Sequence, residues 1–184
     1  NGAKHLALIS RGEVPDESIN DLDAIKSNGV EINIYKADIT DKIELKKVID
    51  LINKAGHNLK GIIQSTGVLD DGVISNQTKE KFEKVFGPKV QGTLNLSELT
   101  GNRKLDFFIM FSSIASVLGS AGQANHSAAN AFLDSFAYYR RSKGLPAQTI
   151  NWGVWSDIGS AANIGADKQE KIPGLKVITP EIGL

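Results

Sequence analysis

The residues best equipped for chemistry lie between 112 and 130. Ser112 and Ser113 close the apolar run Phe107-Phe108-Ile109-Met110-Phe111, and after a loop of small residues His126 and Asn130 follow one helical turn apart. An imidazole has an ordinary pKa of about 6.5, so it can give or take a proton near working pH. Upstream, Lys89 offers an ammonium within a helical stretch. Each residue also has a plain reading. Two serines suit a strand-end turn, and a helical lysine taken alone reads as surface charge.

The elements that must position these groups alternate along the chain. Residues 5–10 are a short apolar strand, and residues 16–28 have helical spacing with Gly29 placed to end them. Residues 31–38 read as the next strand. Asp41 then starts an amphipathic helix with Ile43, Leu45, Val48, Leu51 and Ile52 on its apolar face. Residues 59–65 are a strand, 79–100 a long helical region and 107–111 a strand. Residues 123–143 are a helix and 148–152 a last strand. Strands alternating with helices in this way indicate an α/β fold, a doubly wound parallel sheet covered on both faces. Residues 1–184 are expected to form one domain, with 156–184, which lack periodicity, as a lid or connector.

Composition narrows the function classes. Lys+Arg and Asp+Glu number 21 each, so no global field draws the chain to nucleic acid or a membrane surface. The absence of cysteine excludes a disulfide framework and thiolate zinc sites, and fits a cytoplasmic location. No apolar run approaches the roughly 20 residues needed to span a bilayer. His5 and His57 fall at a strand start and in a surface loop, without metal-like spacing. No metal is expected, and neither histidine receives a role.

Taken together, the strand ending in Ser112-Ser113 and the helix carrying His126 and Asn130 resemble the ketoreductase domain of modular polyketide synthases. That family is a branch of the Rossmann-like short-chain dehydrogenase/reductases. The resemblance implies NADPH-dependent reduction of a β-ketoacyl chain held by an acyl carrier protein. It places Lys89, within Pro88-Lys89-Val90-Gln91-Gly92, at the catalytic lysine, Ser113 on the substrate carbonyl and Asn130 in a relay through water or the lysine. Ser10-Arg11 matches the pair that grips the 2′-phosphate, and a guanidinium suits a phosphate bidentately. Asp38-Ile39 matches residues that meet the adenine, although Asp38 could equally cap the helix near Asp41. Thr66-Gly67 matches a close backbone pass beside the ribose and nicotinamide. Leu69-Asp70-Asp71 matches the triplet of the subtype giving the D alcohol, with Leu69 and Asp71 on the substrate side. The resemblance further sets Gln123 against the phosphopantetheine arm of the carrier protein. It puts Trp155, in Asn151-Trp152-Gly153-Val154-Trp155, in the acyl pocket and makes residues 161–171 a mobile lid.

Two departures from the family pattern matter. The family's proton-donating tyrosine is His126 here. A nearby Lys89 cation disfavours a second positive charge, so the histidine should lose its proton below neutrality, and a neutral imidazole is a poor acid. Reduction is therefore expected to be weak or absent. That leaves open a catalytically silent ketoreductase, kept as scaffold or cofactor binder. The second departure is at the front, where no Gly-x-Gly-x-x-Gly turn occurs. The resemblance sets residues 5–10 at the family's second strand, so the first strand, which lies mid-sheet in the order 3-2-1-4-5-6, is lacking. Unpaired buried strand groups cost about 1–3 kcal/mol each. Another segment is accordingly expected to supply that strand, and the chain alone is not expected to form a complete sheet.

Overall fold

The computed structural model describes residues 2–101, 103–157 and 176–183. The chain resolves into two compact units, Asn1–Lys60 with Gln91–Lys104, and Gly61–Val90 with Leu105–Leu184. The lid expected over residues 161–171 lies outside the described residues, as does most of the connector over 156–184.

In the first unit, β1 (His5–Ser10) and β2 (Glu31–Lys36) pair in parallel, His5 opposite Glu31 and Ser10 opposite Lys36. Helix α1 (Asp16–Ser27) joins them. It begins after Pro15 with Asp16 and Glu17 in its first turn, where the macrodipole favours anions. Gly29 follows its end at φ 79°, a left-handed conformation that glycine adopts without steric cost. Helix α2 (Lys42–Lys54) is capped by Asp41, whose carboxylate accepts the amides of Ile43 (2.8 Å) and Glu44 (3.0 Å). Its buried face is Leu45, Val48, Ile49 and Ile52, whereas Ile43 is 70% and Leu51 50% exposed. The buried set has strict i, i+3, i+4, i+7 spacing. That spacing leaves Ile43 and Leu51, both expected inside, on the flank of the stripe.

The helical region expected over 79–100 is interrupted. Helix α3 (Lys79–Phe86) is followed by a π-helical turn at Gly87–Gln91 and then α4 (Gly92–Thr100). Pro88 has no N–H, and its ring excludes the carbonyl four residues earlier, so the hydrogen-bond ladder shifts there. Within the first unit, α4 ties down the β2–α2 connection. Asn95 Nδ2 donates to the carbonyls of Ile39 (2.9 Å) and Thr40 (3.0 Å).

The second unit holds a parallel sheet in the order β3-β4-β5, from β3 (Gly61–Gln64), β4 (Phe107–Ser113) and β5 (Gln148–Trp152). Gln64 lies opposite Met110, and Ser113 opposite Trp152. A short helix α5 (Ala115–Leu118) and the long α6 (Ala124–Ser142) connect β4 to β5, and α7 (Pro180–Gly183) lies near the end. Phe108, Met110, Val85, Ala129, Leu133 and Ala137 are at most 1% exposed and form the core. The doubly wound reading holds in its parallel strands and alternating helices. Among the described residues the strands form two sheets, with one edge of β1 and one edge of β3 unpaired.

Candidate active site

All four expected catalytic side chains belong to the second unit. Lys89 enters from the π turn, Ser113 from the last residue of β4, and His126 and Asn130 from successive turns of α6. Lys89 is 6% exposed and its Nζ donates to the Phe111 carbonyl at 2.9 Å. Burial lowers its pKa to about 8, with the Asp134 charge pulling the other way. The group thus stays cationic at neutrality, only about a tenth of it neutral at pH 7. A Cβ at Gly67 would stand 3.2 Å from Lys89 Cε, so the expected close pass at Thr66-Gly67 is a pass beside this lysine.

The paired serines divide their tasks. Ser112 is buried and its Oγ donates to the Asn130 carbonyl at 3.2 Å, tying β4 to α6. Ser113 Oγ accepts the Ala115 amide at 3.2 Å. Acceptance uses a lone pair and leaves the hydroxyl proton free to donate to a carbonyl oxygen.

His126, Asn130 and Asp134 recur at four-residue intervals on α6, a polar stripe beside the buried apolar residues Ala129, Leu133, Phe136 and Ala137. Asn130 Nδ2 donates to the His126 carbonyl at 2.8 Å, while its Oδ1 is buried without a partner. His126 Nδ1 is likewise buried and unpartnered. Burial chiefly, then the charge of Lys89, lowers the His126 pKa to about 4, against a smaller opposing effect of Asp71. The direction matches the sequence expectation, but the larger cause is desolvation rather than the lysine. Buried polar atoms left unmet cost about 1–3 kcal/mol each, which makes His126 Nδ1 and Asn130 Oδ1 candidates to meet a ligand or water.

The substrate-side residues are partly brought together. Asp71 Oδ2 accepts from Gln123 Nε2 at 2.9 Å, and Gly72 pairs with this segment through its amide on the Gly122 carbonyl at 2.8 Å. Leu69 is half-buried in the same loop. Asp70 has a different task. Lys81 (2.5 Å) and Lys84 (2.9 Å) hold its carboxylate, and their hydrogen bonds keep its pKa below the usual range. Trp155 packs edge-on to Trp152, ring centroids 4.9 Å apart, away from the Asp71–Gln123 pair in sequence but within the same unit.

Three residues to which the sequence reading gave no role support this arrangement. Gln64, 2% exposed, donates through Nε2 to Thr66 Oγ1 (2.8 Å) and to the Pro88 carbonyl (3.0 Å), fixing both the close pass and the turn that carries Lys89. Asn125, fully buried, donates to the Asp70 carbonyl at 2.8 Å and accepts the His126 amide at 2.8 Å. Asp134 Oδ2 accepts from Ser116 Oγ (2.5 Å) and Asn151 Nδ2 (2.9 Å). The signal for Asp134 was its place four residues beyond Asn130. For Gln64 it was a lone amide inside an apolar strand.

The remaining cofactor candidates lie in the first unit. Ser10 Oγ bonds the Gly12 backbone at 3.2 Å, and Arg11, 62% exposed, faces Asp38 at 3.6 Å. Asp38 does not cap α2. Burial raises its pKa, but the Thr40 amide and hydroxyl and the Arg11 charge outweigh that and hold it low. The capping role belongs to Asp41. Ile39 is 7% exposed and its side chain packs on Gly92. An accessible guanidinium beside a hydroxyl at a strand end fits a phosphorylated dinucleotide.

The KR domain family model matches residues 1–157. Fusarin C synthetase of Gibberella fujikuroi is 41% identical over 165 residues, covering 90% of this chain and 4% of that protein. Polyketide synthase GfsE of Streptomyces halstedii is 43% identical over 156 residues, 85% of this chain and 4% of its own length. Among solved structures, a ketoreductase domain from the bacillaene assembly line superposes with TM-score 0.89 at 33% identity, covering 97% of this chain and 45% of that one. The first ketoreductase of the tylosin synthase gives 0.77 at 32%, with 97% and 39% coverage. The chain belongs to the KR family, the ketoreductase domains of modular polyketide synthases, within the short-chain dehydrogenase/reductase superfamily. Members of that family are oxidoreductases that use a nicotinamide cofactor. The chain spans a small part of the synthases it matches and less than half of these two solved structures. No helix among the described residues is long and apolar enough to cross a membrane.

Proposed function

We propose that this chain contributes the site for NADPH-dependent reduction of a carrier-bound β-ketoacyl intermediate to a D β-hydroxyacyl product, and that His126 throttles it. NADPH, when bound, supplies the hydride. Ser10 and Arg11 are assigned its 2′-phosphate, Asp38 and Ile39 its adenine, Thr66 and Gly67 its ribose and nicotinamide end. Ser113 hydrogen-bonds the substrate carbonyl oxygen through its free hydroxyl proton, without giving the proton up. Lys89 places a buried positive charge that favours negative charge developing on that oxygen. Asn130, through its unpartnered Oδ1, holds a water or the lysine in a proton relay. Leu69 and Asp71 bias the face presented, Gln123 meets the phosphopantetheine arm, and Trp155 lines the acyl side.

The observation that carries this reading is the joint burial of Lys89 and Asn130 beside the Ser113 end of β4. Proton donation is its weak step, because His126, with a pKa near 4, is neutral at working pH. That same fact favours a second reading, a silent domain that binds cofactor and serves as scaffold. Partners under either reading are an acyl carrier protein and neighbouring synthase domains. A further segment that pairs with an open strand edge is proposed as an additional partner.

The test is NADPH oxidation with a model β-ketothioester by the polypeptide carrying these residues, as it stands and as His126→Tyr. Slow or undetectable turnover, raised at least tenfold in His126→Tyr, is expected. NADPH binding without any gain in the variant would overturn the account of position 126. Absence of NADPH binding would overturn the reductase reading itself.

A further inference from the structure

At the end of β1 opposite Ser10, the first unit gathers two histidines and a glutamate from three segments distant in sequence. His5 opens β1 and Glu31 opens β2, and the parallel register sets them side by side. His57 arrives from the connection after α2. His5 Nδ1 lies 3.2 Å and His57 Nε2 3.4 Å from the same carboxylate oxygen, Glu31 Oε2. All three donor atoms fall within 4.8 Å of one another. The two imidazoles stack with centroids 3.5 Å apart.

We propose that His5, Glu31 and His57 form a binding site for a divalent transition-metal ion of the Zn2+ class. The geometry points there through its distances. Ligand bonds of about 2.0–2.1 Å to imidazole nitrogen and carboxylate oxygen place tetrahedral neighbours about 3.3–3.4 Å apart. Both histidine–carboxylate separations already have that length, and an ion would enter as the two stacked, partly exposed rings turn apart to aim their nitrogens at it. The donor set, two imidazoles and one carboxylate, suits a borderline metal rather than Mg2+ or Ca2+, which prefer all-oxygen cages. Glu31 is also held as a ligating carboxylate should be. Its second oxygen, Oε1, accepts Asn33 Nδ2 at 2.7 Å, orienting the group and leaving Oε2 to the histidines. Solvent supplies the fourth ligand. The ion would clip together β1, β2 and the α2–β3 connection, three segments distant in sequence. It would do so in the unit whose strands are least buried. Binding confined to the folded state stabilises that state by mass action.

The full chain titrated with ZnCl2 in competition with a chromogenic chelator tests this. One ion per chain is expected, with affinity reduced tenfold or more in His5→Ala and in His57→Ala. In Asn33→Ala the affinity should fall about 10-fold at unchanged stoichiometry, the usual effect of losing an outer-shell partner. Co2+ in place of Zn2+ should give the intense visible absorption of a four-coordinate centre, lost in Glu31→Gln. The proposal is overturned if no saturable stoichiometric binding occurs. It is equally overturned if the His5→Ala/His57→Ala double variant, folded by circular dichroism, binds Zn2+ as the parent chain does.

Discussion

The two units are both parallel α/β, yet they bury different things. In the second, β4 alternates buried residues with exposed or half-buried ones. Phe108, Met110 and Ser112 turn inward onto a sheet flanked by α6. In the first, no residue of β1 or β2 is buried, and the apolar interior comes from the inner face of α2 together with Ala37, Ile39 and Leu96. The functional candidates follow the same division. Lys89, Asn130, Asn125 and Gln64 are buried polar groups whose charge states and orientations are set by desolvation and hydrogen bonding. Arg11 and the His5–Glu31–His57 group are surface side chains at strand ends. A site that must tune a proton is built into a packed core. Groups that hold an anion or an ion can stand at the surface.

That contrast can be broken by mutation. Leu133→Ala, at a fully buried α6 position, should lower stability by about 2–5 kcal/mol, the range for a large-to-small change in a core. Ile34→Ala on β2, already 45% exposed, should cost about 1 kcal/mol or less. Denaturant unfolding of both variants checks the pair, and equal losses would dissolve the distinction between the units.

Acid gives the next effect. His126 binds its proton near pH 6.5 when unfolded and near 4 when folded, so the unfolded state holds more protons between those values. Stability is therefore full above pH 6.5, declines as pH falls through that window, and levels off below about 4. The total loss is up to about 3 kcal/mol. In His126→Gln this part of the decline should vanish when unfolding is followed from pH 7 to pH 4. A smaller change comes from Asp41→Ala. Loss of the α2 cap should cost about 0.5–2 kcal/mol, measured by thermal unfolding.

Much of this architecture was legible in the residues. Asp41 was visible as a helix start, and Gly29 as a stop. Ser112-Ser113 showed as a strand end and the His126–Asn130 pair as a helical face, because each is a local signal with a local cause. The roles proposed for Lys89 and Arg11 rest on the family resemblance, because a lone helical lysine or loop arginine otherwise reads as surface charge. What stayed hidden depends on residues far apart in sequence. The flank positions of Ile43 and Leu51 are decided by which side α2 buries. The shift to a π turn at Pro88 is accompanied by a hydrogen bond from Gln64 to the Pro88 carbonyl, from a strand well upstream. The meeting of His5 with His57 follows from strand register and the path of a loop. Asp134 was passed over because an aspartate in a helix ordinarily faces water. Only the structure shows it bonded to Ser116 and Asn151.

The account turns on the charge state of position 126, and NMR titration of the His126 ring reads it directly. A midpoint near 4 that rises when Lys89→Met removes the neighbouring charge is the predicted result. A midpoint near 6.5, indifferent to Lys89, would mean that the imidazole is solvated and remote from the lysine, and the proposed site would not exist as described.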